Sequence, residues 1–344
     1  MRRRTFFGAA MMAAFTPALA AEQRARQHGA RPGSPTKRPL LYVSNEHGRS
    51  ISVVDGGTHA VVATIAGVPG RPRGLQVSPD GTRLYVALSD DARQTQGDED
   101  GIAVIDTKTR QVRSILPAGT DPEAFAVHPS GAHLYASNED AGTASVIDTR
   151  TGRVVATLVV GIEPEGVAIS PEGHFVYVTA ETSNTVSVID TRTHRVVASF
   201  MVDPRPRAAA FAPDGRRAYV TAEIGSSVAV VDATTHKVVK RIRLPRGAQP
   251  VGVVVAHDNA RVFVANGHGD SISVIDAETL AIVETVAVGQ RPWGLALTPD
   301  GRHLYSANGL SDDLSVVDTT TLTAVAAVKV GRGPWGVAVG PSPP

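Results

Sequence analysis

The chain contains no cysteine, which excludes disulfides, thiolate metal sites, iron–sulfur clusters, thiol nucleophiles and a lipidated N-terminal cysteine. Aromatic residues make up only 5% of it, too few for an extended base-stacking surface. No apolar run approaches the roughly 20 residues a membrane-spanning helix requires. No window carries a 3.6-residue apolar stripe, so helical repeat architectures drop out. Strand–helix phosphate loops, dinucleotide fingerprints and the G-x-S-x-G elbow are absent as well. Net charge is small, with 34 basic against 33 acidic residues. That balance hides an asymmetry: residues 1–39 hold eight basic residues and one acid, leaving 26 basic and 32 acidic residues from position 40 onward. A body of that sign has no general attraction for nucleic acid or anionic lipid.

The N-terminus reads as an export signal over residues 1–20. Arg2, Arg3 and Arg4 precede an apolar stretch from Phe6 to Phe15, then Pro17 and the small-residue triplet Ala18-Leu19-Ala20. The expectation is cleavage after Ala20 and a periplasmic destination. Within it Arg3-Arg4-Thr5-Phe6-Phe7 is similar to the twin-arginine motif, with the general secretory route as the alternative. Residues 21–39, carrying Pro32, Pro35, Pro39 and five basic residues, read as a flexible basic linker.

From residue 40 to 344 the sequence repeats. An Asp closing a Val-Ile-Asp-like run stands at 55, 106, 148, 190, 232, 276 and 318, in steps of 51, 42, 42, 42, 44 and 42 residues. All six tyrosines of the chain (Tyr42, Tyr85, Tyr135, Tyr177, Tyr219, Tyr305) occupy one repeat position, with Phe263 in the seventh. A Pro-x-Gly turn recurs at Pro79, Pro129, Pro171, Pro213 and Pro299, where Pro presets φ and Gly accepts positive φ. Each unit holds four short β-branched runs, such as 166–169, 175–178, 185–189 and 195–199, separated by turn signals. Four strands at a period near 42 predict an all-β, seven-bladed β-propeller of antiparallel four-stranded blades. The chain enters on a second-strand sequence at Leu40 and leaves on a first-strand sequence at Trp335, so the C-terminal strand is expected to pair with the N-terminal blade and close the ring. The repeated aspartates precede turns and read as acceptors of backbone N–H groups. His59, His128, His133, His174, His194, His236 and His303 fall in turns and are expected to face solvent.

The frame resembles the YVTN-type β-propeller family, here as Tyr42-Val43-Ser44-Asn45, Tyr177-Val178-Thr179-Ala180, Tyr219-Val220-Thr221-Ala222 and Phe263-Val264-Ala265-Asn266. Around Asp121–Phe125, Glu163–Gly166 and Gly333–Gly336 it is most similar to exported propellers associated with PQQ-dependent alcohol catabolism. That resemblance implies a periplasmic binding module near quinoprotein dehydrogenases and supplies no catalytic residues.

In a propeller the loops leading into the innermost strands ring the mouth of the central channel, the default ligand position. Here they read Arg71-Pro72-Arg73, Asp121-Pro122-Glu123, Glu163-Pro164-Glu165, Arg205-Pro206-Arg207, Gln249-Pro250-Val251, Arg291-Pro292-Trp293 and Gly333-Pro334-Trp335. Their proline is fixed while the flanking charge and size vary, so specificity is expected there. Trp293 and Trp335, the only tryptophans, sit on consecutive blades beside Arg291 and Arg71 and offer stacking and guanidinium pairing to a flat anionic ligand. The competing reading is that Arg73, Arg207, Glu123 and Glu165 pair with one another and the tryptophans plug the channel. Glu46, His47, Glu139, Asp140, Glu181, Glu223 and His268 follow second strands on the same face; without close ligand spacing they read as solvated loop residues rather than a metal site. The acidic stretch Asp90–Asp100, which lengthens the first step to 51 residues, reads as a solvated loop lacking a calcium-loop pattern.

No cofactor is named by this sequence. The leading expectation is a monomer that binds a periplasmic protein partner or a small anionic ligand. The alternatives are a channel-mouth enzyme such as a lactonase-like hydrolase using Arg, Glu and His, or a carrier of a planar redox compound.

Overall fold

The computed structural model describes residues 38–89 and 99–340. The export signal, nearly all of the basic linker and most of the acidic stretch (residues 90–98) lie outside the described residues. Twenty-eight strands form seven four-stranded antiparallel sheets. From the innermost strand outward, blade 2 is Arg71–Val77, Arg83–Ser89, Gly101–Asp106 and Val112–Leu116. Blade 4, typical of the rest, is Pro164–Ile169, Phe175–Ala180, Thr185–Asp190 and Arg195–Met201. Blade 1 takes its innermost strand, Pro334–Gly340, from the chain's other end and pairs it with Leu40–Asn45, with Leu41 opposite Val339 and Tyr42 opposite Ala338. The ring closes as the sequence predicts.

Burial explains the strand compositions. Second and third strands are covered on both faces by neighbouring blades, so their runs are continuously apolar. Outermost strands such as Arg195–Met201 are largely exposed and accept charge. The core is therefore a set of layers between blades, each built around one of the repeated rings: Tyr135 with Val146 and Val178, Tyr177 with Val188 and Val220, Tyr305 with Leu314 and Val337.

Near the axis the blades converge. A Cβ on Gly166 would sit 2.2 Å from the Arg207 carbonyl oxygen, and one on Gly252 would sit 2.1 Å from that of Trp293. Glycine here lets adjacent innermost strands touch backbone to backbone. The register shift between Pro164 and Val167 marks a bulge at the same point, which turns the preceding residues toward the mouth.

The repeated aspartates act as the sequence predicts: Asp55 Oδ1 accepts from the backbone N–H groups of Gly57 and Thr58, both at 2.8 Å. Of the seven turn histidines only His174 is exposed as expected; His128, His133 and His303 are half-buried, and the other three form a recurring contact. His59, His194 and His236 adopt positive φ of 55°, 50° and 55°, which swings each ring into the seam beside the preceding blade. There their Nδ1 atoms share hydrogen bonds with the hydroxyls of Tyr305, Tyr135 and Tyr177 at 2.8, 3.1 and 2.8 Å. They are half-buried clasps rather than solvated turn residues.

Candidate functional site

The Pro-x loops and the turns after the second strands meet at one end of the channel. The loop proline opens the innermost strand in five blades, while the strand starts at Arg71 beside Pro72 and at Phe125 past Pro122 in the other two; the loop residues project at the mouth. A second ring of side chains, four residues after each repeated aromatic residue, reads Glu46, Ser89, Glu139, Glu181, Glu223, Gly267 and Gly309. These two rings interlock across blades.

Arg73 pairs with Glu123 and, at 3.3 Å, with Glu46; Arg71 reaches Glu46 at 3.2 Å and Asp121 at 3.8 Å. Arg207 is bound by three carboxylates: Glu181, Glu165 at 3.3 Å and Glu223 at 3.1 Å. Arg205 spans Glu181 at 2.8 Å and Glu223 at 3.3 Å. Glu181 and Glu223, expected to be solvated, are each only 5% exposed. The rim arginines are long enough to reach them from the neighbouring loops, and pairing lets both charges leave water. Glu46 is paired in the same manner, with Arg71 and Arg73.

Arg291 stands apart. No ion pair to a carboxylate forms at its guanidinium among the described residues; it donates from Nη1 to His268 Nε2 at 2.6 Å, and His268 is thereby engaged. Its guanidinium carbon lies 4.9 Å from the Trp293 ring centroid, and that of Arg207 lies 4.8 Å from it. Trp293 and Trp335 are 5.9 Å apart between centroids and inclined at 41°.

Where blade 7, which runs from Pro292–Leu297 to Thr323–Lys329, carries Gly309 in place of glutamate, the mouth opens. The cavity holds about 330 Å³ and is lined by Arg73, Arg205, Arg207, Arg291, Glu46, Glu139, Glu165, His47, Leu310 and both tryptophans. A smaller apolar pocket of about 170 Å³ lies against the same tryptophans, with Val167, Ala209, Val253 and Leu295 on its walls. The tryptophans thus separate a charged upper chamber from an apolar one.

Of the residues singled out from sequence, Arg73, Glu165, Arg205, Arg207, Arg291, Trp293 and Trp335 line this cavity. Arg71 braces it through Glu46, and Glu123 is fully buried behind Arg73. The ion pairs Arg73–Glu123 and Arg207–Glu165 form, so pairing and an open cavity coexist. Glu46 and Glu139, expected to be solvated, are half-buried in the cavity wall, while His47, which also lines the cavity, is exposed as expected. The signal was present: glutamate recurs at the same step after Tyr42, Tyr135, Tyr177 and Tyr219.

Three carboxyl groups are displaced from their usual range. Burial pushes Glu123 well upward; Arg73 opposes the shift, and Glu165, Glu139 and Asp121 add to it. Burial likewise raises Glu139 and Asp121. Arg73 is held protonated above the ordinary arginine range: burial disfavours its charge, but Glu123 and Glu46 more than offset that.

Residues 203–331 match the family described as Lactonase, 7-bladed beta-propeller, and residues 54–201 match the Choice-of-anchor I domain. No curated protein matches the chain. Among solved structures, the periplasmic gluconolactonase of Pseudomonas aeruginosa is 22% identical, with 89% of this chain and 99% of that one covered at a TM-score of 0.73. A putative 6-phosphogluconolactonase from Bacteroides uniformis is 16% identical over 88% and 99% of the two chains, TM-score 0.75. Hydrazine synthase of Kuenenia stuttgartiensis is 24% identical over 78% and 89%, TM-score 0.70. At these identities the likeness establishes the seven-bladed propeller. The subfamily associated with PQQ-dependent catabolism remains a resemblance of the repeats.

Proposed function

We propose that the protein is an exported hydrolase that opens lactones at the channel mouth. The observation that carries this reading is the convergence of four arginines, three glutamates and a histidine on one cavity of about 330 Å³ walled by two tryptophans. The volume suits a sugar-acid lactone. The lactonase-family match over residues 203–331 supports the same reaction class, and the N-terminal sequence supports export.

Ester opening needs a positive group at the carbonyl oxygen and a base for water. Arg205 and Arg207, fixed by buried carboxylates, supply preorganised N–H donors to the developing oxyanion. His47 takes a proton from the attacking water and returns it to the ring oxygen as the C–O bond breaks, giving a hydroxy acid. Arg291 and the indole face of Trp293 hold the ligand's polar edge and its ring. Glu165 is a positioning residue acting through Arg207.

The test is pH-stat turnover of a panel of γ- and δ-lactones of sugar acids, corrected for spontaneous hydrolysis. Wild-type acceleration is expected on at least one member, falling about 100-fold or more in His47→Ala. Arg291→Gln is expected mainly to raise KM. A panel hydrolysed no faster with protein than without it overturns the reading.

A second reading, an accessory binding module near a quinoprotein dehydrogenase, is favoured by Ile162, Ile224 and Leu310. These loop residues of the mouth face are 60–69% exposed. It predicts that Ile224→Asp with Leu310→Asp abolishes association with a PQQ-dependent alcohol dehydrogenase in native gels while the fold persists. Association unchanged by the pair argues against it.

A further inference from the structure

The turn that follows each repeated aspartate leaves one of its seven seams open. Four residues after that aspartate the backbone always has positive φ, between 50° and 69°, so the turn aims this position the same way each time, into the seam with the preceding blade. Six seams receive a side chain there: His59, His194 and His236 at three, Leu280 and Leu322 at two, and Arg110 at one. The seventh position is Gly152, between Thr143–Asp148 and Arg153–Val159 of blade 3, and it sends nothing toward Tyr85 of blade 2.

A pocket of about 580 Å³ lies at this seam, with Tyr85, Val104 and Leu116 as its apolar side and Arg83, Arg113 and Arg150 as its charged side. Two further observations show that the seam is open. Val104 is 8% exposed, whereas the valine at its repeat position in every other blade is fully buried. Arg217 and Arg261 cross their seams to the carbonyl oxygens of Ala277 and Thr319, but Arg83, at the same repeat position, turns to Tyr85 within its own blade. Its Nη1 is 3.5 Å from the Tyr85 hydroxyl, the outer limit of a hydrogen bond. The hydroxyls of Tyr177 and Tyr305 each have an imidazole nitrogen at 2.8 Å instead.

The chemistry of a ligand for this place follows from what fills it elsewhere and from the charge around it. A flat ring with a nitrogen at its edge fits beside the tyrosine at three seams. Three guanidinium groups line the pocket against one carboxylate, Asp106, which Arg113 holds at 2.9 Å. Neither Arg83 nor Arg150 forms an ion pair to a carboxylate among the described residues. This local excess of two positive charges, in a body whose net charge is negative, selects an anion, and the guanidinium fork matches a carboxylate. The volume is ample for a small molecule.

We propose that the seam of blades 2 and 3 is a binding site for a small nitrogen-heteroaromatic carboxylic acid. Its ring takes the place of the missing turn side chain, with the ring nitrogen at the Tyr85 hydroxyl and one face on Val104 and Leu116, and its carboxylate pairs with the arginines. The site shares no lining residue with the cavity at the mouth, so it stands whether or not lactones are substrates.

The test titrates the full chain with imidazole-4-acetate by calorimetry at neutral pH and follows melting in parallel. One site per chain is expected, with a rise in Tm. Imidazole, which lacks the acid, and phenylacetate, which lacks the ring nitrogen, are each expected to bind at least tenfold more weakly. Gly152→His rebuilds the clasp found at the other seams. Its φ of 69° is close to those of His59, His194 and His236, in a region histidine tolerates, and a Cβ there meets only the Leu116 Cδ2, at 3.3 Å. This variant is expected to melt no lower than wild type and to lose binding at least tenfold; Arg150→Gln is expected to weaken binding severalfold. Absence of both heat and Tm shift in the wild type overturns the proposal. Binding unchanged in a folded Gly152→His overturns it by locating the probe elsewhere, and phenylacetate binding as tightly as imidazole-4-acetate overturns the ligand class.

Discussion

The Tyr305 hydroxyl and His59 Nδ1, 246 residues apart in sequence, lie 2.8 Å apart across the seam where the ring closes. The same contact recurs between Tyr135 and His194 and between Tyr177 and His236. In each case a turn residue of one blade locks the central ring of the blade before it. At the seams without histidine the same turn position holds Arg110, Gly152, Leu280 or Leu322. Leu322 packs in the cluster built around Phe263, the one copy with no hydroxyl to satisfy.

These clasps make stability pH-dependent. Burial, the leading cause, lowers the pKa of His59, His194 and His236 in the folded state. The unfolded chain therefore binds more protons than the folded one as pH drops below about 6.5. Their contribution is intact above that value and declines as pH falls through the ordinary histidine range. Tm measured from pH 8 to pH 5 is expected to fall, and the triple variant His59→Asn, His194→Asn, His236→Asn to show a shallower dependence. Parallel curves for the two proteins would assign the acid sensitivity to other groups.

The blade count and the closure were legible because a propeller repeats local information seven times: one buried aromatic ring, tyrosine in six units and Phe263 in the other, one Asp-capped turn and one Pro-x loop per unit. The mouth was legible as a place but not as a network. Whether Glu181 is solvated or buried depends on Arg205 and Arg207 reaching it from the loop of the next blade, and no spacing within one repeat encodes that reach. The opening beside blade 7 follows from one missing side chain, at Gly309. Against a background of 33 glycines, this one carries a message only when aligned with Glu46, Glu139, Glu181 and Glu223. The histidine clasps were missed because the positive φ that turns them inward is a property of the turn, shared with residues as different as Arg110 and Leu322.

Convergence at the axis sets a second expectation. Gly166→Ala would place a methyl group 2.2 Å from the Arg207 carbonyl oxygen, and neither backbone can move without displacing the strand that carries Arg207. Overpacking of this kind costs about 1–3 kcal/mol. A lowered urea midpoint with an unchanged m-value would register it. A midpoint equal to wild type would mean that the innermost strands have slack.

Deleting residues 334–344 removes the strand that pairs with Leu40–Asn45. This exposes the edge of a second strand that is buried on both faces in the intact ring, and such edges recruit other chains. The expected result is loss of the single cooperative thermal transition by circular dichroism, with aggregation on size exclusion. A monodisperse truncated protein with a wild-type melt would show that closure is dispensable.

The two arginines that share Glu181 and Glu223 should behave unequally. Arg207 has a side chain only 10% exposed, facing three carboxylates, whereas the Arg205 side chain is 43% exposed. Replacing Arg207 by Met strands Glu165, Glu181 and Glu223 in a nearly dry site, and breaking a buried pair in this way costs about 3–5 kcal/mol. Replacing Arg205 by Met removes a solvent-screened partner, for which about 0–1 kcal/mol is the usual range. The Arg207→Met deficit is also expected to shrink in acid, because protonation removes the stranded charge. Urea unfolding of both variants at pH 8 and pH 5 tests each part. Equal losses at pH 8 would show that the guanidinium of Arg205 compensates for that of Arg207 within the same carboxylate cage.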